Sequence, residues 1–304
     1  MARSFASDRE QRFPSGGTMN TVYLNGRFVP ENKAFVSVLD RGFIFGDGVY
    51  EVVPVYGARP FRLAHHLERL AASLRAIGLA DPMSEHQWTP VFEELIQRCG
   101  ARDQSVYLQI TRGPAPRDHA FPPSPKATVF AYAQPLKEID AKLLQAGVRA
   151  IVLDDIRWRR CDIKATALLA NVLLRQEAIA RGAAEAVLIR DGKVTEGAAS
   201  NIFAVVSGKL VTAPKGPFIL PGVTRDLILE IARGNDVDCS ERLLSLEELR
   251  SADEVWLTSS TKEILPIVEL DGTRVGEGRA GTLFWRMHSL FQDYKRRFRN
   301  GDVS

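Results

Sequence analysis

Only three cysteines occur in the 304 residues, Cys99, Cys161 and Cys239. They are odd in number and form no C-x-x-C pair. That argues against a disulfide framework or a zinc site and points to a reducing cytoplasm. No run of about 18 apolar residues exists, so no membrane association is expected. Charge of one sign is scarce too. A formal net charge of +3 gives no basis for nucleic-acid binding, although it suits a site that receives anions. The one basic cluster, Lys295-Arg-Arg297-Phe-Arg299, reads as a solvated helix end, where cations are favoured. Metal-ligand spacing, a Ser-His-Asp arrangement and a dinucleotide fingerprint are all missing. Residues 1–18 mix charge, Ser, Gly and Pro without an apolar stretch, so they read as a disordered extension and not a secretory signal. Met19 is an alternative start.

What is present is enough apolar sequence for two cores. Residues 21–29 read as a hairpin around Asn25-Gly26. Residues 48–56 form a second extended run, where Pro54 requires an edge position or a bulge. Leu63, Leu67, Leu70 and Leu74 mark a helix that ends at Gly78, and a second helix over 88–99 stops at Gly100. Strands follow over 105–111 and 127–133. The composition turns polar near residues 135–142. The expected organisation is therefore a smaller N-terminal domain over 19–136, a linker over 137–143 and a larger domain over 144–304. In the second half a strand over 148–153, a helix over 165–181 and a strand over 186–190 alternate. Asp191-Gly192 and Ser207-Gly208 predict consecutive hairpins over 186–212. The fold class is α/β, with mixed strands and helices in both halves.

A lysine ahead of a helix is usually a surface charge. Lys164 differs because Ile163 and an apolar helix pattern flank it, and desolvation makes a lysine nucleophilic. Glu196, after the Asp-Gly turn, supplies a carboxylate. An amine able to form a Schiff base and a carboxylate able to keep a pyridine nitrogen protonated are the minimal equipment for pyridoxal phosphate chemistry. Pro221-Gly222-Val-Thr224 opens a helix whose N-terminus suits a phosphate, or simply a threonine cap. Hydroxyls in Thr258-Ser-Ser-Thr261 and the guanidinium of Arg69 are further phosphate candidates. A proline-rich loop, Thr111-Arg-Gly-Pro-Ala-Pro-Arg117-Asp-His119, holds an arginine and a histidine that can converge on one carboxylate.

Four signposts carry a family resemblance: Asp40-Arg-Gly-Phe-Ile-Phe-Gly-Asp-Gly-Val-Tyr50-Glu, the 112–122 loop, Asp155-Ile-Arg157-Trp-Arg-Arg-Cys-Asp-Ile-Lys164 and Val194-Thr-Glu196-Gly. With them the chain resembles the D-amino acid aminotransferases of the fold type IV pyridoxal phosphate enzymes, from about Met19 to the C-terminal helix. The resemblance implies two domains with the active site between them and pyridoxal 5'-phosphate as cofactor. It makes Lys164 the catalytic lysine and Glu196 the partner of the pyridine nitrogen. Arg69, Val223, Thr224, Ser259 and Ser260 would hold the phosphate, Leu220 would pack on the ring, and Arg157 would support the network. Tyr50, Arg117 and His119 would trap the substrate carboxylate. The last two would come from a neighbouring subunit, which implies a homodimer with a shared active site.

The expected activity moves the amino group of a D-amino acid to a 2-oxo acid by a ping-pong route. A branched-chain L-amino acid or (R)-amine transaminase on the same scaffold is the alternative, and the 112–122 loop argues against it. The chain departs from the family at three points. Ala198 and Ala199 stand where serines are frequent, and Pro221 and Pro54 replace lysines.

Overall fold

The structure, a computed structural model, describes residues 21–303, so the expected extension over residues 1–18 lies outside the described residues. Asn25 and Gly26 adopt positive φ, 48° and 89°, and join β1 (Thr21–Leu24) to β2 (Arg27–Pro30). That is the geometry of a hairpin turn whose twist matches its strands. There follow α1 (Arg41–Phe45), β3 (Gly48–Tyr56), β4 (Arg59–Pro60), α2 (Leu63–Ala76), α3 (Glu85–Cys99), β5 (Gln104–Thr111) and β6 (Thr128–Pro135). The strands make a six-stranded sheet in the order β2-β1-β6-β5-β3-β4. The leucine stripe of α2 packs on it together with Trp88, Phe92 and Leu95 of α3.

After residues 136–140 come α4 (Ala141–Ala146), β7 (Val148–Asp154), α5 (Leu169–Ala180), β8 (Glu185–Arg190) and β9 (Lys193–Gly197). The chain continues through β10 (Asn201–Val206), β11 (Lys209–Thr212), α6 (Val223–Arg233), β12 (Cys239–Glu241), β13 (Leu244–Ser245) and α7 (Leu246–Arg250). It closes with β14 (Glu254–Ser259), β15 (Glu263–Leu270), β16 (Thr273–Arg274) and α8 (Thr282–Asn300). Ten strands form one mixed sheet, ordered β12-β11-β10-β14-β15-β7-β8-β9-β13 with β16 on β15. The hairpins expected over 186–212 are thus two separate ones, β8–β9 and β10–β11. Strands β14, β15 and β7 stand between them.

Pro54 sits where it can be tolerated. Strand β3 pairs along its length with β5, whereas β4 reaches only Val55 and Tyr56 on the opposite flank. The vacant part of that flank is taken by a segment from the second half. The Tyr50 N–H donates to the Lys164 carbonyl at 2.9 Å, and the Thr166 N–H donates to the Gly48 carbonyl at 3.0 Å. Val49 and Ala165 form a bridge between them. Ile163 and Ala165 then bury in the core of the first sheet. This explains why the helix expected over 165–181 starts only at Leu169. Backbone committed to a strand flank cannot also make helical hydrogen bonds.

Helix α8 joins the halves elsewhere. Phe284, Met287, Phe291 and Phe298 share one core with Phe203 and Trp256, and also with Tyr56 and Phe61 from the first half. Its basic end is not simply solvated. Lys295 Nζ donates to Glu263 at 2.6 Å and Arg299 pairs with Asp103. The buried Glu263 needs a counter-charge, which Lys295 supplies, and Arg299 does the same for the half-buried Asp103. Among the described residues, no helix is long and apolar enough to cross a membrane.

Candidate active site

A cleft of about 480 Å³ lies between the two sheets, the size of a small-molecule site. Tyr50 and Val52 of β3 and Arg69 of α2 form one wall. Lys164, Glu196 at the end of β9, and Leu220 face them from the second half. The first residues of α6 and the hydroxyls of Ser259 and Ser260 close one end.

Lys164 owes its position to its neighbours. With Ile163 and Ala165 buried on either side and the backbone docked on β3, its side chain emerges into the cleft. The Lys164 N–H donates to Ser73 Oγ at 3.2 Å. Its Nζ stands over the Tyr50 ring, 4.1 Å from the centroid. An amine resting on an aromatic face, not locked to a carboxylate, keeps its lone pair within reach once deprotonated. Tyr50 in turn stacks on Tyr107 at 5.7 Å between centroids.

Glu196 is buried and held from three directions. Arg157 Nη1 donates to Oε1, while Asn201 Nδ2 and the Leu220 N–H donate to Oε2 at 3.0 and 2.9 Å. Burial pushes its carboxyl up to about 7, and the opposing pull of Arg157 and of the Leu220 N–H does not restore the ordinary value. Arg157 is fixed from behind by Asp155, through Nε and Nη2 at 2.9 Å each. Close packing locks the arrangement. A Cβ at Gly222 would stand 2.0 Å from Asn201 Oδ1, so only glycine fits beside the amide that holds Glu196.

The anion-binding end is built from groups left without partners. Helix α6 begins at Val223 after Gly222, which has no side chain to cap it, so its first amides face the cleft unpaired. Thr258 Oγ1 is buried with no hydrogen-bond partner among the described residues. Ser259, Ser260 and Thr224 add hydroxyls. An orphaned hydroxyl beside uncapped amides fits a phosphate. A buried carboxyl and an amine across the same cleft fit the ring and reactive carbon of pyridoxal phosphate. No group of side chains suited to hold a metal ion occurs among the described residues.

Arg69 lines the cleft, but its guanidinium is largely engaged already. Its Nε and Nη2 donate to Glu51 at 2.8 Å each, and Nη1 donates to the Pro221 carbonyl at 2.9 Å. Burial acts to raise the Glu51 carboxyl, yet the Arg69 charge, with hydrogen bonds from Arg69 and His66, holds it well below the usual carboxylate range. Glu51 was not singled out in the sequence. Its signal was legible all the same: a carboxylate inside an apolar strand, followed by His66 and Arg69 one helical turn apart. Asn201 and Ser73 had no such signal, since short polar residues of this kind occur everywhere.

Arg117 and His119 do not line this cleft. Both are exposed on the loop between β5 and β6, resting on the ring of Phe45. The Arg117 guanidinium lies 5.4 Å from that centroid, and the His119 ring also lies 5.4 Å from it. Ala198 and Ala199 line the cleft wall, and the Ala198 carbonyl accepts from Asn171 Nδ2 at 2.8 Å. The wall is therefore apolar where hydroxyls were thought usual.

Residues 48–270 match the family model for amino-transferase class IV, and the chain belongs to that family. It is similar to the D-alanine aminotransferase of Staphylococcus epidermidis, 39% identical over 281 residues, which span 91% of this chain and 98% of that protein. It is likewise similar to the D-alanine aminotransferase of Bacillus licheniformis, 40% identical over 272 residues, 90% of this chain and 96% of that one. Among solved structures, the branched-chain amino acid aminotransferase of Escherichia coli aligns with a TM-score of 0.86. That alignment has 28% identity and covers 91% of this chain and 94% of that one.

Proposed function

We propose that this aminotransferase uses pyridoxal 5'-phosphate to move the amino group of a D-amino acid, D-alanine or D-glutamate among them, to a 2-oxo acid. The observation that carries the reading is a single cleft in which Lys164, Glu196 and an uncapped helix N-terminus meet. Similarity to two D-alanine aminotransferases supports the substrate class. When bound, the cofactor supplies an electron-withdrawing ring that stabilises negative charge at the substrate Cα.

The chain does the rest. The first amides of α6 at Val223 and Thr224, with Ser259 and Ser260, bind the phosphate. Arg69, with Glu51 as its counter-ion, holds the Pro221 carbonyl beside that end. Leu220 packs against the ring. Glu196 holds a proton at the pyridine nitrogen, and Arg157 keeps the carboxylate aimed. Lys164 Nζ would take the proton from the substrate Cα and carry it, acting as base and then acid. Tyr50, Arg117 and His119 bind the substrate carboxylate and so fix which face of Cα meets Lys164.

Arg117 and His119 stand outside the cleft of their own chain, so the reading requires a second copy to bring them to it. Phe35, Val38, Phe43 and Leu169, each more than 70% exposed, are the kind of surface a homodimer covers. The divide between the two working units is taken at residues 137–143. Three free cysteines support a cytoplasmic location.

The test is the visible absorption of the purified protein, followed by D-alanine and, separately, L-leucine. Bleaching of the cofactor band by D-alanine alone supports the reading. Bleaching by L-leucine alone moves the assignment to the branched-chain activity, which the likeness to the Escherichia coli enzyme favours. A protein that takes up no cofactor sinks both.

A further inference from the structure

The 112–127 loop is held by a buried arrangement that the proposed mechanism does not use. Arg41, the first residue of α1, is 4% exposed. Its Nη1 donates to the main-chain carbonyls of Asp118 and Ala120 at 2.5 and 3.2 Å, and its Nη2 donates to that of His119 at 3.5 Å. Its Nε donates to Asp47 Oδ2 at 2.8 Å, and the Arg41 N–H donates to the Gly113 carbonyl at 3.0 Å. Asp47 also accepts from Arg112, at 2.8 and 3.1 Å. Arg112 reaches on to the carbonyls of Ile77 and Gly78, and its guanidinium covers the Phe121 ring at 3.7 Å. Phe45, the last residue of α1, forms the floor under both Arg117 and His119.

One five-residue helix thus grips the loop twice. Arg41 fixes the backbone on either side of His119, and Phe45 fixes the height at which the two side chains stand. A loop with unanchored carbonyls would sample many shapes. Here a guanidinium with a planar set of donors selects one. The ion pairs add to this, since the two buried guanidiniums share one carboxylate at the base of the loop.

We propose that Arg41 and Phe45 are positioning residues for carboxylate recognition: they set the direction and spacing of Arg117 and His119, with Asp47 fixing Arg41. The inference rests on the substrate role given to Arg117 above. Positioning errors of an ångström are enough to lose a large share of binding to an oriented ion pair.

The test compares Arg41→Lys, Phe45→Leu and Arg117→Ala as full-length holoenzymes, reading KM and kcat for D-alanine, the cofactor band and Tm. Arg41→Lys keeps the charge near Asp47 but loses the fork that holds the carbonyls. The expected result is a KM raised about tenfold in Arg41→Lys and about threefold in Phe45→Leu, with kcat within about twofold and the cofactor band intact. Should Arg41→Lys fail to fold, Phe45→Leu carries the test alone. If Arg117→Ala raises KM while both α1 variants behave as wild type, the inference is overturned and the substrate reading stands. If Arg117→Ala leaves KM unchanged, the carboxylate role falls and the inference falls with it. A drop in kcat together with loss of cofactor marks a general structural role and overturns the inference too.

Discussion

The cleft and the 112–127 loop are both rich in arginine, yet the two share out its donors differently. In the cleft each buried guanidinium faces a carboxylate: Arg157 faces Asp155 and Glu196, and Arg69 faces Glu51. In the loop the buried guanidiniums of Arg41 and Arg112 share a single carboxylate, Asp47, and give most of their remaining donors to main-chain carbonyls, while Arg117 and His119 stand outside on an aromatic floor. The first design suits a ligand that stays, because every dipole is fixed before the ligand arrives. The second suits a ligand that comes and goes, with contacts completed only when another surface closes over them.

The sharpest way to break this contrast is to remove the centre of the cleft. Lys164→Ala should reduce turnover to background, and a variant that still turned over at the normal rate would sink the assignment. Glu196→Gln should follow, with kcat reduced about 100-fold and the cofactor retained, measured in single-turnover assays with D-alanine. The same variant has a pH signature. The Glu196 carboxyl is raised to about 7 in the folded chain, so the fold binds a proton that the unfolded chain has released. Its contribution is therefore fully present below the ordinary carboxylate value and is lost as pH rises to about 7. Cofactor-free Glu196→Gln should gain Tm relative to wild type across that window and gain nothing further above it. A difference that is flat with pH would remove the burial argument.

Arg117→Ala probes the other design. It should lower kcat/KM for D-alanine by about 10- to 100-fold, chiefly through KM, because a charged hydrogen bond contributes about 1.5–3 kcal/mol. The cofactor band should not move. The smallest effect belongs to single hydroxyls of the cradle. Ser259→Ala should weaken cofactor retention by about fivefold in dialysis, since the amides of α6 remain. An effect on KM larger than on retention would mean that the two regions are not separate.

Much of the cleft was legible in the sequence because its groups are chemically rare in their settings. A lysine between Ile163 and Ala165, a Gly222 at a helix start and a hydroxyl run after an apolar strand each conflict with a plain reading of their segment. What was not legible depends on pairing across the chain. The docking of residues 163–166 on β3 pairs two segments more than 100 positions apart, which no local period reports. It also shortened the expected helix. The inward turn of Lys295 and Arg299 was missed for the same reason, since Glu263 and Asp103 are distant in the chain. The contact of Arg69 with the Pro221 carbonyl needed the fold as well, because it joins positions 152 apart in the chain.

The last helix has a consequence for how the protein is made. The Tyr56 hydroxyl donates to Glu263, 207 positions further along the chain, and Phe61 packs on Phe298 near the end of the chain. During synthesis the first sheet leaves the ribosome long before the helix that seals its rim exists. A premature stop between the end of β15 at Leu270 and the start of α8 at Thr282 yields a nascent chain that encodes every residue lining the cleft but keeps an aromatic rim open to water. Such a product is a ligand for chaperones and proteases, not a smaller enzyme.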